Sequence, residues 1–510
     1  MNNEQWKEKP GFSEKTWFLK QLTGLTVYPR SVVDLNGTSY LLARSGEDKY
    51  LVVLGDTIGF EGKRVGPDLE SPLLCPLTTA NGAALRARLD WLRPVPLGLR
   101  TSAGFGDRLG PATPGHVRAA RQFETIAPIF AQQSVRENAR TGRTPQQVMD
   151  DATWGLFQEG WREPWGADAD HLKTPEVVDG FVAAGYTFFT VDPGDHVDNK
   201  AHTAPPTEVE VKVRALPWDM LEDTARDMER RYLTRPFDLE EGALTFEREV
   251  LWRAAAKYGH AVAHAARMYR YLFEQAGENR FEFEVSVDET ETPTSPEEHF
   301  FIANELRRLE VRWISLAPRF IGRFEKGVDY IGDLDTFSAE FARHAAVARA
   351  LGPYKISIHS GSDKFSIYPI AARLADGLVH VKTAGTSYLE ALRAVAQIAP
   401  AFFREILSFA RQRYDTDRAT YHVSAQLTNV PPPINPPSKG EASALSETDL
   451  PDLLEQFDAR QVLHVTFGSV LDQFGDRLLA TLRGHEEVYY ALLESHFRRH
   501  LAPFAECKRV

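Results

Sequence analysis

Acidic residues and histidines recur directly after short apolar segments of this sequence. Asp192 follows one such segment, Asp288 and Glu289 follow a second, and His359 follows a third. Asp, Glu and His are the ligand types that bind hard or borderline divalent cations such as Zn²⁺, Mn²⁺, Ni²⁺ or Co²⁺. The pattern therefore predicts a divalent metal site, provided that the fold brings the ends of these segments together.

Alternation within two strand-like segments, 281–287 and 354–358, selects the first metal ligands. Because alternate side chains of a strand share one face, Asp288 and His359 can point toward the same interior. These two residues are the first predicted ligands. The next predicted ligands are two further histidines, each preceded by an aspartate, and one carboxylate: His171, His196 and Glu289.

Structural roles compete with this interpretation. An acidic residue just before a helix is often an N-cap, and Asp170 precedes the predicted helix start at Thr174-Pro175. His422 and His464 lie in the C-terminal region, where we expect core or surface histidines rather than ligands.

The sequence also offers proton acceptors and anion-binding loops. Candidate bases are Asp168, Asp192 and Glu289. The loops 360–364 and 382–386 combine glycines, hydroxyls and lysines, which suits a carboxylate or phosphate, although plain turn glycines are the alternative. The predicted substrate-binding residues are Arg136, Arg319, Ser360, Gly361, Ser362, Lys364, Lys382 and Thr386.

Strand-like segments alternate with helical stretches from residue 96 to about 390. The predicted strands are 97–100, 128–135, 161–166, 186–191, 281–287, 311–316, 354–358 and 378–381. Helix starts are readable at Thr144-Pro145 and in the capping box Ser295-x-x-Glu298. Eight parallel strands are what a (β/α)8 TIM-type barrel requires, and their carboxyl ends meet at one mouth. This α/β fold would gather the reactive residues.

The sequence pattern divides the chain into three predicted parts. Residues 1–95 alternate short β-like runs with turns and predict a small α+β cap. Residues 96–390 form the predicted catalytic barrel, with a helical insertion at about 200–280. Residues 391–510 predict a mostly helical extension packed on the barrel, interrupted by an extended proline-rich loop at 431–437.

Composition excludes several function classes. The 510 residues carry 59 Lys+Arg and 71 Asp+Glu, and the net charge of −12 argues against nucleic acid or an anionic membrane as the main partner. Two cysteines, Cys75 and Cys507, cannot build a disulfide scaffold or thiolate zinc site. We find neither a signal peptide nor an apolar run of roughly 18 residues, and expect a cytoplasmic protein. Nucleotide-binding and serine-hydrolase motifs are also absent from the sequence.

Long segments of the chain resemble the bacterial tagaturonate/fructuronate epimerase family. They are 102–110, 113–116, 130–143 (FAQQSVRENARTGR), 166–171, 285–296 (VSVDETETPTSP), 358–365 (IHSGSDKF) and 380–390 (HVKTAGTSYLE). The resemblance runs from about residue 97 to the C-terminus and is loose before it. It implies a metal-dependent enzyme that inverts C4 of a 2-keto uronate, with tagatose and fructose as substrates of related members. The partner would be a small keto sugar or keto uronate, and homo-oligomerisation stays open.

The chemistry of such a substrate favours bond cleavage. C4 lies β to the C2 ketone, so its C–H bond is not acidic, whereas cleavage of C3–C4 by a retro-aldol step gives a stabilised enediolate. Rotation of the aldehyde before re-addition would invert C4. A metal-dependent sugar or sugar-phosphate aldolase or isomerase on the same barrel is the alternative, and a non-catalytic sugar-binding protein is a second one that the crowding of carboxylates disfavours.

Overall fold

The computed structural model describes residues 24–66, 68, 71–240, 242–432 and 449–505. Its N-terminal part is an antiparallel sheet in the order β1-β3-β4-β6-β5, with β2 paired to β3. The strands are β1 (Thr26–Val27), β2 (Val33–Leu35), β3 (Thr38–Ser45), β4 (Asp48–Leu54), β5 (Lys63–Arg64) and β6 (Leu73–Pro76). Cys75 is buried in this sheet, and Cys507 lies outside the described residues.

Eight parallel strands then close into a barrel in the order β10-β13-β14-β15-β16-β7-β8-β9. They are β7 (Ser102–Gly106), β8 (Ala127–Ser134), β9 (Gly166–Leu172), β10 (Phe188–Val191), β13 (Glu282–Ser286), β14 (Ser315–Ala317), β15 (Lys355–Ile358) and β16 (Val379–Thr383). A separate hairpin, β11 (Phe237–Leu239) and β12 (Gly242–Leu244), lies in the insertion between β10 and β13. The predicted TIM-type barrel is confirmed.

Helices surround the barrel and extend it. In chain order they are α1 (Thr79–Arg88), α2 (Thr113–Ala120), α3 (Val135–Thr141), α4 (Pro145–Glu159), α5 (Pro175–Ala184), α6 (Pro206–Arg214), α7 (Trp218–Leu221), α8 (Ala225–Leu233), α9 (Arg248–Ala276), α10 (Pro296–Arg308), α11 (Leu334–Leu351), α12 (Tyr368–Leu374), α13 (Thr386–Ile398), α14 (Pro400–Asp417), α15 (Phe457–Val465), α16 (Phe467–Gly484) and α17 (Glu486–Ala505). The predicted starts at Thr144 and Ser295 are both confirmed as capping boxes. None of the helices in the described part of the chain has the length and apolarity needed to cross a membrane.

The C-terminal helices cover one side of the barrel. Helix α17 packs against α2 and α13, and α14 packs against α13, α15 and α16. Phe497 of α17 lies 5.1 Å from Phe105 of β7, measured between ring centroids. The C-terminal region therefore shares the core of the barrel.

Three predicted strands were displaced along the chain; the sixth is β14 at 315–317 rather than 311–316. The first strand is β7 at 102–106 rather than 97–100, and the third is β9 at 166–172 rather than 161–166. Position 104 of β7 requires glycine, because a Cβ there would overlap the Gln132 side chain. In β9, the buried Asp168 lies between two alanines and faces a polar part of the barrel interior. Because this strand is not a continuous apolar run, its apolar content does not reveal it.

Candidate active site

A buried lysine occupies the centre of the barrel. The Lys382 ammonium of β16 lies 2.8 Å from Asp168 Oδ2, 2.9 Å from Asp170 Oδ1 and 2.9 Å from Glu284 Oε1. It also donates to Thr190 Oγ1, which in turn donates to Asp168 and Glu284 at 3.1 and 3.2 Å. All five side chains are buried. Three carboxylates thus surround one permanent cation.

His359, the residue after β15, stands above this cluster. Its Nε2 atom lies 3.0 Å from Asp170 Oδ1. Within the described part of the chain, its buried Nδ1 atom has no hydrogen-bond partner, and the nearest carboxylate oxygens, of Glu284 and Asp288, lie 3.7 and 3.9 Å away. Asp288 itself accepts a hydrogen bond of 2.5 Å from Ser286. The two ligands selected from strand alternation therefore do converge.

A bulge in β9 brings a second histidine to the mouth. The register between β9 and β10 shifts after Ala169–Phe189, and His171 has a left-handed backbone with φ 56°. Simple alternation would turn His171 away from Asp170, but the bulge re-aims it. Its ring centre lies 4.5 Å from that of His359.

His171 joins the remaining carboxylates. Its Nδ1 atom lies 3.2 Å from Asp192 Oδ2, and its Nε2 atom lies 4.0 Å from Glu289 Oε1. Asp192 also accepts the backbone N–H of Gly194 at 2.8 Å, whereas Glu289 pairs with Arg136 at 3.0 Å. The imidazole is therefore held between two acidic side chains.

The pKa shifts show that this mouth favours positive charge. Burial disfavours an imidazolium at His171, but Asp170, Asp192 and Glu289 outweigh it and raise its pKa to about 10. Burial likewise opposes ionisation of Glu289, but His171 and Arg136 lower its pKa to about 2. Burial raises the pKa of Asp168 to about 7 even though Lys382 opposes this. The carboxylates outnumber the local cations, so one of them retains affinity for a proton.

Some of the mouth residues border a cavity of about 330 Å³. Asp288, Glu289 and His359 form part of its wall. The remaining lining comes from Arg136, from the loop 318–326 after β14, from Ser360, and from Tyr421 and His422. The volume suits one small ligand.

The donor set fits a divalent cation. Two triplets of side chains at the mouth each place one potential ligand atom per residue within 4.8 Å of the other two. The first is Asp170, His171 and His359, and the second is His171, Asp192 and Glu289. The unpartnered Nδ1 of His359 and the excess of carboxylates are what a cation would satisfy. Imidazole and carboxylate donors together suit Zn²⁺, Mn²⁺, Ni²⁺ or Co²⁺.

Some predicted site residues lie elsewhere. The His196 ring stacks on His264 with centroids 4.0 Å apart, so the structure does not bring it to the His171 cluster. Asp168 lies beneath Lys382 and does not line the cavity. Lys382 is surrounded by the carboxylates and is likewise not exposed to a ligand.

The loop 360–364 contributes only its first residue to the cavity. The Lys364 ammonium, predicted to bind substrate, instead donates to the carbonyl oxygens of Glu325, Val328 and Ser362 at 2.9, 2.5 and 2.9 Å. The Ser362 hydroxyl accepts a hydrogen bond from the backbone N–H of Ala384 at 3.1 Å. A Cβ on Gly361 would collide with the backbone, so this glycine serves close packing.

Thr386 belongs to a second carboxylate–histidine cluster, formed by Asp363, His496 and His500. Its hydroxyl lies 2.7 Å from His496 Nε2. His496 Nε2 is also 2.8 Å from Asp363 Oδ1, and the backbone N–H of Asp363 donates to His500 Nε2 at 3.0 Å. Arg460 pairs with Asp363 Oδ2 at 2.9 Å. This cluster fastens the loop 360–364 to α17 and does not line the cavity.

Sequence reasoning missed part of the cavity wall. His422, expected to be a core or surface residue, lines the cavity beside Tyr421. The two residues follow α14, far from any barrel strand in sequence. Inspection of the residues after each strand could not identify them, because only tertiary packing brings this segment over the mouth.

Comparison with known proteins is decisive at this point. A model of the tagaturonate epimerase family matches residues 28–504. The tagaturonate/fructuronate epimerase of Thermotoga maritima is 44% identical over 486 residues, which cover 94% of this chain and 96% of that protein. The chain belongs to the tagaturonate epimerase family. It is therefore an isomerase of the epimerase class, and the resemblance seen in the sequence is confirmed.

Solved structures agree with the family assignment. The glycerol-bound crystal structure of fructuronate-tagaturonate epimerase from Cohnella laeviribosi matches with a TM-score of 0.87 at 38% identity, covering 96% of this chain and 99% of that chain. The native crystal structure of the same protein gives a TM-score of 0.86 with the same identity and coverage. The match includes the N-terminal region, for which the sequence resemblance was loose.

Proposed function

We propose that this member of the tagaturonate epimerase family interconverts D-tagaturonate and D-fructuronate at C4, with a divalent cation bound by His171, Asp288 and His359. The substrates are those of the relative that is 44% identical over nearly the full chain. The cation is supported by one observation above all: imidazole and carboxylate donors crowd the barrel mouth, and His359 Nδ1 is buried there without a hydrogen-bond partner.

The cation has one chemical task in this proposal. When bound at the mouth it would polarise the C2 carbonyl and stabilise the negative charge that develops on that oxygen. Asp170 positions His359 through the 3.0 Å contact at Nε2, which leaves Nδ1 as the donor atom. Asp192 orients His171 in the same manner at 3.2 Å.

The reaction follows from the position of C4 relative to the ketone. A base removes the proton of the C4 hydroxyl, the C4–O electron pair forms an aldehyde, and the C3–C4 electron pair moves into a C2–C3 double bond. Rotation of the aldehyde presents its opposite face to C3. Re-addition restores the C3–C4 bond with C4 inverted, and the base returns the proton.

Glu289 is the best placed of the three predicted bases. It lines the cavity, and its side chain is 36% exposed there. Asp168 is fully buried under Lys382, and Asp192 is only 4% exposed and occupied by His171 and Gly194. Arg136 holds the Glu289 carboxylate in place at 3.0 Å, so we assign to Arg136 the positioning of the base.

Product analysis with labelled substrate tests this proposal. Protein stripped with a chelator should lose activity and regain it with Zn²⁺, Mn²⁺, Ni²⁺ or Co²⁺, converting D-tagaturonate to its C4 epimer. Deuterium at C4 should stay on carbon with no more than a small secondary rate effect, because that hydrogen never leaves C4 in a cleavage path. Washout of the label into water, or stoichiometric release of free aldehyde, would contradict the mechanism.

A further inference from the structure

Four cationic side chains line the cavity: Arg136, Arg319, Arg323 and Lys326. Two of them are neutralised by the protein. Arg136 pairs with Glu289 at 3.0 Å, and Arg323 pairs with Glu325 at 3.3 Å. The other two require a different explanation.

Among the described residues, Lys326 and Arg319 have polar contacts but no acidic partner within 4.0 Å. The Lys326 ammonium donates to Ser360 Oγ at 3.1 Å, and Arg319 Nη1 reaches the carbonyl oxygen of Asp288 at 3.5 Å. The buried Nε of Arg319 has no hydrogen-bond partner. Within the described ranges, no carboxylate oxygen lies within 4.0 Å of either cation. Partly buried cations of this kind are costly unless an anion neutralises them.

We propose that Lys326 and Arg319 form the subsite for the substrate carboxylate, and that Lys326 sets the preference for keto uronates over uncharged ketohexoses. The inference rests on the proposed function and specifies its substrate class. In a 2-keto hexuronate the carboxylate is C6, four carbons from the ketone. Ser360 adds a hydroxyl beside the ammonium, and the guanidinium of Arg319 supplies the directional donors that carboxylates prefer.

The C-terminal region holds this subsite in position. Glu325, next to Lys326, accepts hydrogen bonds from the backbone N–H and the hydroxyl of Ser424 at 2.9 and 2.7 Å, and from Gln461 at 2.8 Å. Arg460 donates to the carbonyl oxygen of Gly327 on the other side. The lysine therefore stands on a loop that is fixed at both flanks, which lowers the entropic cost of binding.

Steady-state kinetics with matched substrates test the subsite. In metal-loaded enzyme, Lys326→Met should lower kcat/KM for D-tagaturonate by roughly 10- to 100-fold, the loss expected for one charge-assisted hydrogen bond. The loss for D-tagatose should be at least tenfold smaller. Lys326→Arg should recover part of the uronate activity, and the exposed Lys63→Met on β5 should match the wild type for both sugars.

A binding measurement separates this inference from the proposed function. D-galactonate carries a carboxylate and galactitol does not, and neither is a ketose that can react. Calorimetry should show D-galactonate binding that weakens at least tenfold in Lys326→Met, even if the wild type epimerises neither ketose. Equal losses for both ketoses, unchanged D-galactonate binding in Lys326→Met, or no D-galactonate binding to the wild type would each overturn the subsite.

Discussion

Two clusters of aspartate and histidine are built from the same residue types in this molecule. At the barrel mouth, Asp170 bridges Lys382 and His359 at 2.9 and 3.0 Å. On the outer side of the loop 360–364, Asp363 bridges Arg460 and His496 at 2.9 and 2.8 Å. Each cluster thus contains an aspartate that joins one permanent cation to one imidazole.

The clusters differ in charge balance and in whether their imidazole nitrogens have hydrogen-bond partners among the described residues. In the outer cluster a second carboxylate, Glu390, lies 3.3 Å from His496 Nδ1 and has its own cation, Arg393, at 2.9 Å. The Nε2 atom of His500 accepts a backbone N–H there, so it is not free for a metal. At the mouth, three carboxylates share Lys382, and His359 Nδ1 has no hydrogen-bond partner. We therefore expect a metal at the mouth, where an excess of negative charge accompanies an unpartnered imidazole nitrogen, and not at the outer cluster, although both contain the same residue types.

We expect the largest effect on metal binding and activity when a ligand of the mouth cluster is removed. His359→Ala removes the unsatisfied donor, so the purified protein should lose its bound metal and detectable epimerase activity while keeping its circular dichroism spectrum. Metal analysis and a C4-epimer assay measure both. Full activity with stoichiometric metal in this variant would exclude His359 as a ligand.

Replacement of the base should separate catalysis from metal binding. Glu289→Gln keeps the shape of the side chain but cannot accept the C4 hydroxyl proton, so kcat should fall roughly 100- to 10,000-fold. Metal content should stay near the wild-type value, because His171, Asp288 and His359 remain. A wild-type kcat in this variant would exclude Glu289 as the base and leave Asp192 as the candidate.

Removal of the central cation should affect stability most. Lys382→Met leaves Asp168, Asp170 and Glu284 without their buried counter-ion, so the free energy of unfolding should fall by about 3–5 kcal/mol at pH 7. Urea unfolding measures the loss. Adding Asp168→Asn should restore part of it, since one buried charge is then removed; no recovery would contradict the electrostatic explanation.

The smallest effect concerns the outer cluster. His500→Phe leaves the backbone N–H of Asp363 without its acceptor, which should cost about 1–3 kcal/mol of unfolding free energy. Metal content per chain should be the same as in the wild type, because this cluster is charge-balanced. Loss of a bound metal ion in this variant would show that the comparison between the clusters is wrong.

The sequence by itself determined the barrel and the residue types of its mouth. Alternation of strand-like and helical segments predicted eight strands, and capping residues at Thr144 and Ser295 located two helix starts, because both signals are local. Asp288 and His359 were found from strand alternation, since alternate side chains of every parallel barrel strand point to a common interior. Strands β7 and β9 were misplaced because their small or polar residues are determined by contacts inside the barrel and not by a local apolar pattern.

Only the tertiary structure decided which of the similar residues form the site. His171 faces the mouth because of a bulge with positive φ, whereas His196 stacks on a helix of the insertion. Lys364 turns to backbone carbonyls, and Lys326, from a loop fixed by the C-terminal region, stands in the cavity instead. Side-chain direction at a strand end depends on contacts with segments that are distant in the sequence, and local sequence patterns carry no record of those contacts.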